Sequence, residues 1–146
     1  TPWNVQFLAG TADNFLRQVL VGKEKHVQKV PQWYGETIGF WDGTTLVTWT
    51  ANVQGWWTHT MFEYSDQLET VETYKPVYDA SRKFIGLDHD TVFYDPPALV
   101  QPVHATYHYS RVATTDDPTR RYTFIECLSN GSNLHTPAFV QSAPHR

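Results

Sequence analysis

Apolar and polar residues alternate along most of this chain, and turn-forming clusters interrupt them roughly every 8–12 residues, the spacing of an all-β domain. The alternating runs predict strands at 35–41, 44–51, 56–64, 67–77, 84–94, 103–112 and 120–128, with a further strand at 3–9. Asp42-Gly43 reads as a two-residue hairpin turn. Further breaks fall at 52–55, 64–67, 78–83, 95–97, 115–118 and 130–131. Segment 11–21 fits two elements: Thr11 can cap a short helix carrying Phe15, Leu16, Val19 and Leu20 on one face, while Gln18 to Val21 serves equally as a strand. The expected architecture is one domain over residues 1–146 with an irregular tail from about 130. It is an antiparallel meander forming a lipocalin-like barrel or a two-sheet sandwich, with at most one short N-terminal helix.

Strand alternation also predicts which side chains meet. A turn at Asp42-Gly43 pairs Trp41 with Thr44, which sets Ile38 opposite Val47 and Glu36 opposite Trp49. The face holding Ile38, Phe40, Val47, Trp49 and Ala51 is the more apolar one and is expected inside; Trp41, Leu46 and several threonines are expected outside. A turn at Ser65-Asp66 places His59 opposite Glu72 and Trp57 opposite Tyr74. Pairing Val77 with Phe84 then brings His89 opposite Glu72, with Phe93 on the same inner face. One lateral row, His59–Glu72–His89, is expected on three adjacent strands about 4.8 Å apart.

Composition narrows the partners. There are 11 Lys and Arg against 15 Asp and Glu, for a net charge of −4 and no basic stripe, which argues against nucleic acid. No apolar run approaches the roughly 18 residues of a spanning helix. Cys127 is the single cysteine, so no internal disulfide forms and the redox compartment stays open. Six Trp, eight Tyr and eight Phe supply either a ring-rich core or an aromatic-lined pocket.

Chemistry gathers at the His59–Glu72–His89 row. A carboxylate between two imidazoles orients one of them as a general base. The same three groups can instead ligate one transition metal ion, leaving positions for water or substrate, or simply satisfy a buried carboxylate. Glu36 is a candidate second catalytic carboxylate or a residue at the barrel mouth. Phe40, Trp49, Trp57, Tyr74 and Phe93 are the candidate ligand-binding rings. His104 and His108 have helical metal-site spacing, but on a strand they lie about 13 Å apart, too far to share an ion; both are expected to face outward. Cys127 lacks a histidine at a motif spacing, and neither a Gly-rich phosphate loop nor a nucleophile elbow occurs.

The run from Gly35 to Val47 resembles the signature Gly-acid-Ser-aliphatic-Gly-x-Trp-acid-Gly-Asp-Thr-Leu-Val of an uncharacterised, often exported bacterial protein family. Leu68 to Tyr74, Asp95-Pro96 with Pro102, and Cys127 resemble further elements of that pattern, over residues 30–128 in all. Thr44 departs from the family's Asp, and Leu128-Ser129-Asn130 departs from its acidic segment. The resemblance implies an all-β fold and a periplasmic or secreted location, with no activity attached; its members are longer at the N-terminus, which makes a fragment or a short member the expectation here.

Together these readings predict a small-molecule site in an aromatic-lined barrel interior, with the His–Glu–His row performing acid–base or metal-assisted chemistry. The substrate is apolar or aromatic, and the reaction an isomerisation, a hydration or dehydration, or a hydrolysis. The alternatives are a non-catalytic binding module, lipocalin-like or carbohydrate-binding through Trp41, Trp56 and Phe62, and a structural subunit whose outward rings make a homo-oligomer.

Overall fold

A computed structural model describes residues 2–9, 15–57 and 63–112. Seven strands form one sheet in chain order: β1 (Asn4–Ala9), β2 (Phe15–Val21), β3 (Glu36–Asp42), β4 (Thr45–Ala51), β5 (Glu69–Tyr78), β6 (Phe84–Tyr94) and β7 (Val103–Ser110). No helix occurs among the described residues. Residues 15–21 are therefore strand, because β1 pairs along their full length, from Asn4 opposite Leu20 to Ala9 opposite Phe15. The predicted strand at 120–128, Cys127 and the tail lie outside the described residues.

The sheet is not a pure meander. β2 and β3 run parallel, with Val19, Leu20 and Val21 beside Thr37, Ile38 and Gly39. Parallel neighbours need a long crossover, and residues 22–35 supply it across one face of the sheet. The Glu36 carboxylate fastens that crossover by accepting the backbone N–H groups of Val27 and Gln28 at 2.9 and 2.8 Å.

The sheet curls into a half-barrel. Flat strands β1 and β5 would stand about 19 Å apart, four spacings of about 4.8 Å, yet the Phe7 and Tyr74 ring centroids are 4.6 Å apart. Among the described residues β1 and β7 remain its two edges, so neither a closed barrel nor a second sheet is present there.

The concave side of this curl is not the face that apolarity alone selects. Thr37, Leu46, Thr48 and Thr50 are buried with Val19, Glu72, Tyr74, His89 and Thr91, whereas Phe40 is 57% exposed and Trp49 38%. Concave surface offers less room per residue, and threonine and Gly39 fit where Phe40 and Trp49 do not. A Cβ on Gly39 would lie 2.6 Å from the Val47 carbonyl oxygen and 3.0 Å from Val19. Burying the threonines costs little because they satisfy one another, Thr37 Oγ1 and Thr50 Oγ1 being 2.8 Å apart.

Two register expectations shift by two positions, which preserves the faces. Asp42 pairs with Thr45, so the hairpin turn is Gly43-Thr44, with Gly43 at φ +59°; Ile38 then faces Trp49, and Glu36 faces Ala51. On β5 and β6, Tyr74 faces His89 and Glu72 faces Thr91, with a bulge at Val77/Tyr78. A larger correction concerns the strand expected at 56–64. β4 pairs directly with β5, and the described part of 56–64 contributes only an isolated bridge between Trp56 and Tyr64. Asp95 packs that excursion against the end of β6: its carboxylate accepts the Ser65 hydroxyl at 2.5 Å and the Ser65 N–H at 2.7 Å.

Candidate functional site

Glu72 sits mid-strand on β5, on the concave face, 4% exposed. Its flanking strands place Thr48 on one side and Thr91 on the other. The curl adds Arg17 from β2, whose guanidinium donates to both carboxylate oxygens, Nη1 to Oε1 at 3.2 Å and Nη2 to Oε2. The Tyr74 hydroxyl donates to Oε1 at 2.9 Å, and His89 Nε2 lies 3.1 Å from the same oxygen. The hydroxyls of Thr48 and Thr70 approach Oε2 at 3.4 Å.

Burial by itself would raise the Glu72 pKa. The hydrogen bonds from His89 and Arg17, the Arg17 charge and the Tyr74 hydroxyl outweigh it and hold the carboxyl at about 2. Glu72 is thus a fixed negative charge near neutrality, suited to orienting neighbours and unsuited to accepting protons. Burial and the adjacent Glu72 charge push the Tyr74 phenol well above its ordinary value, so Tyr74 is a hydrogen-bond donor. The Arg17 guanidinium is held protonated: burial alone would lower its pKa, and the contacts with Glu72 outweigh that and raise it.

His89 is clamped in this network. Nε2 also lies 2.9 Å from Thr91 Oγ1, so the proton on Nε2 points at Glu72 and Thr91. Its Nδ1 is buried and has no hydrogen-bond partner among the described residues. The ring stacks on Tyr74 at 4.2 Å and 11°, and on its other side meets Tyr107 at 5.6 Å and 28° and Tyr109 at 5.9 Å and 23°. The series Phe7, Tyr74, His89, Tyr107/Tyr109 is a row of rings stacked across the concave face. It ends on edge strand β7, where Tyr107 is 46% exposed and Tyr109 51%. Gly86 makes that approach possible, because a Cβ there would collide with the Tyr109 carbonyl oxygen.

The structure unites some sequence candidates and separates others. Glu72 and His89 touch, though diagonally rather than laterally. Both strand positions beside Glu72 are filled by Thr48 and Thr91, so the lateral row with His59 does not form; His59 itself lies outside the described residues. Glu36 is on the opposite face and bonds backbone amides. The five candidate rings do not line one cavity. Tyr74 and Phe93 are on the concave face, Phe40 and Trp49 on the convex face, and Trp57 is outside the sheet and 59% exposed. Phe40, Trp49, Ile38, Val47 and Val71 instead flank an open convex trough of about 570 Å³. No group of three His, Cys, Asp or Glu side chains is placed to hold a metal among the described residues; Arg17 puts a cation where a metal would approach Glu72. His104 and His108 face outward on β7, and His108 Nδ1 bonds Asp88 at 2.7 Å.

Sequence reasoning missed Arg17, Tyr107 and Tyr109 as site residues. Arg17 lies in the segment of ambiguous structure, and its partner is 55 positions away. The tyrosines had a signal, since the odd positions of β7 form its more apolar face. Comparison with protein-family models, curated proteins and solved structures gives no match for this chain.

Proposed function

We propose that the concave face of the half-barrel binds a small planar aromatic or apolar molecule at the β7 end of the ring row, a stack that Glu72 holds in register through His89. The observation that carries this reading is a stack held at its centre by the clamped His89 ring and ending in the half-exposed rings of Tyr107 and Tyr109. The exposed faces of Tyr107 and Tyr109 offer the next place in the stack to a planar ring. A ligand there lies beyond Tyr107 and out of hydrogen-bond reach of His89, which suits a non-catalytic binding module.

Titration with 2-naphthol, followed by the NMR signals of the His89 and Tyr107 rings, tests the binding. Saturable shifts are expected at both, abolished in Tyr107→Ala/Tyr109→Ala and kept in His89→Phe, which preserves the stack without the imidazole. Shifts that persist in the double tyrosine variant would refute the placement.

A further inference from the structure

A second site opens where β2 and β3 part. The two strands pair only from Val19/Thr37 to Val21/Gly39; the next positions back, Gln18 and Glu36, do not pair with each other, and the gap holds a cleft of about 370 Å³. Its wall includes Trp33, 46% exposed and braced by Trp56 with centroids 4.8 Å apart at 88°. The loop beneath Trp33 is firmly held: Gln32 N–H donates to the Asn52 carbonyl at 2.9 Å, Gln54 N–H to the Gln32 carbonyl at 2.7 Å, and Gly35 N–H to that carbonyl at 3.1 Å. Gly35 closes the turn at φ +65°, where a Cβ would strike the Ala51 carbonyl oxygen.

Three carboxamides line the cleft beside Arg17, Tyr34, Glu36 and Thr37. The carboxamides of Gln18 and Gln32 line it and make no side-chain hydrogen bond among the described residues. The Gln28 carboxamide beside them is fixed by donating to the Val30 carbonyl at 2.6 Å. Arg17 also lines the cleft, and its buried Nε has no acceptor among the described residues. The Arg17 charge is already matched by Glu72, and Glu36 Oε2 is engaged by two backbone N–H groups, so the cleft offers amide donors and acceptors beside one carboxylate.

We infer that this cleft binds a neutral saccharide, one sugar ring lying on Trp33 while its hydroxyls bond Gln18 and Gln32. A braced, exposed indole presents a π-face to the C–H face of a pyranose, and planar amides match pairs of vicinal hydroxyls, each acting as both donor and acceptor. An apolar ligand would leave the amides unsatisfied, and an anionic one would face the Glu36 carboxylate. The site is on other residues than the ring row at β7, and either can stand without the other.

The test titrates the full chain with maltohexaose, cellohexaose and N-acetylchitohexaose in turn, reading the tryptophan indole N–H signals by NMR. At least one oligosaccharide is expected to shift Trp33, with smaller effects at Trp56 and none at Trp49. Trp33→Ala should weaken that affinity about tenfold or more, and Gln18→Ala about three- to tenfold, the loss of one hydrogen bond. Gln18 is exposed, so its variant folds and keeps the test sound if Trp33→Ala does not. Overturning results are no Trp33 shift with any of the three, an affinity read at Trp56 that stays at the parent value in both Gln18→Ala and Trp33→Ala, or shifts confined to Tyr107 and Tyr109.

Discussion

Arg17 and Glu72 meet across three strand-to-strand steps: a guanidinium on β2 grips a carboxylate on β5 over the intervening β3 and β4. Only a sheet curled onto itself permits this, and the pair in turn fastens the curl. Its side chains are 16% and 5% exposed, so the charges are largely removed from water and depend on each other.

Arg17→Leu is therefore expected to destabilise the fold by about 3–5 kcal/mol, because it strands a buried carboxylate. Arg17→Leu/Glu72→Leu should recover most of that loss. Urea unfolding of both variants measures it; equal losses in the two would mean that the charges are not coupled.

Acid should unfold the protein through Glu72. Its carboxyl titrates at about 2 in the fold against 4.5 ordinarily, so the unfolded chain takes up the proton first. The stabilisation is complete above the unfolded value and drains away as pH falls from 4.5 towards 2, by up to about 3 kcal/mol. Unfolding free energy measured through that window should fall steeply in the parent and less steeply in Glu72→Gln.

Ile38 and Phe40 are two residues apart on one face, yet they should respond differently. Ile38 is 4% exposed and Phe40 57%. Ile38→Ala is expected to cost about 2–4 kcal/mol, while Phe40→Ser stays within about 1 kcal/mol. Thermal unfolding of both variants shows which part of this face is packed; equal losses would place Phe40 in a core.

Gly86→Ala tests the ring row without touching a ring. The added methyl group meets the Tyr109 carbonyl oxygen and should push β7 away from β6. The expected readout is loss of the upfield ring shifts of His89 and Tyr109, with the Arg17–Glu72 end unchanged. Intact shifts would mean that β7 yields without disturbing the stack.

The sequence by itself determined that the chain is all-β, where most strands run, and that Glu72 and His89 share a face, because a period of two is written directly into local residue order. Register errors of two positions left that result intact, since an even shift returns each side chain to its own face. Three things only the tertiary structure decided. One is the direction of the curl, which buries paired threonines and turns Phe40 and Trp49 outward; apolarity counts cannot see how little room a concave face has. Another is that β4 sits beside β5, which excludes the lateral His59 row, because alternation predicts strands but not which strands are neighbours. The last is the Arg17–Glu72 pair, whose members are 55 residues apart and meet through curvature, a property of the whole sheet that no local pattern encodes.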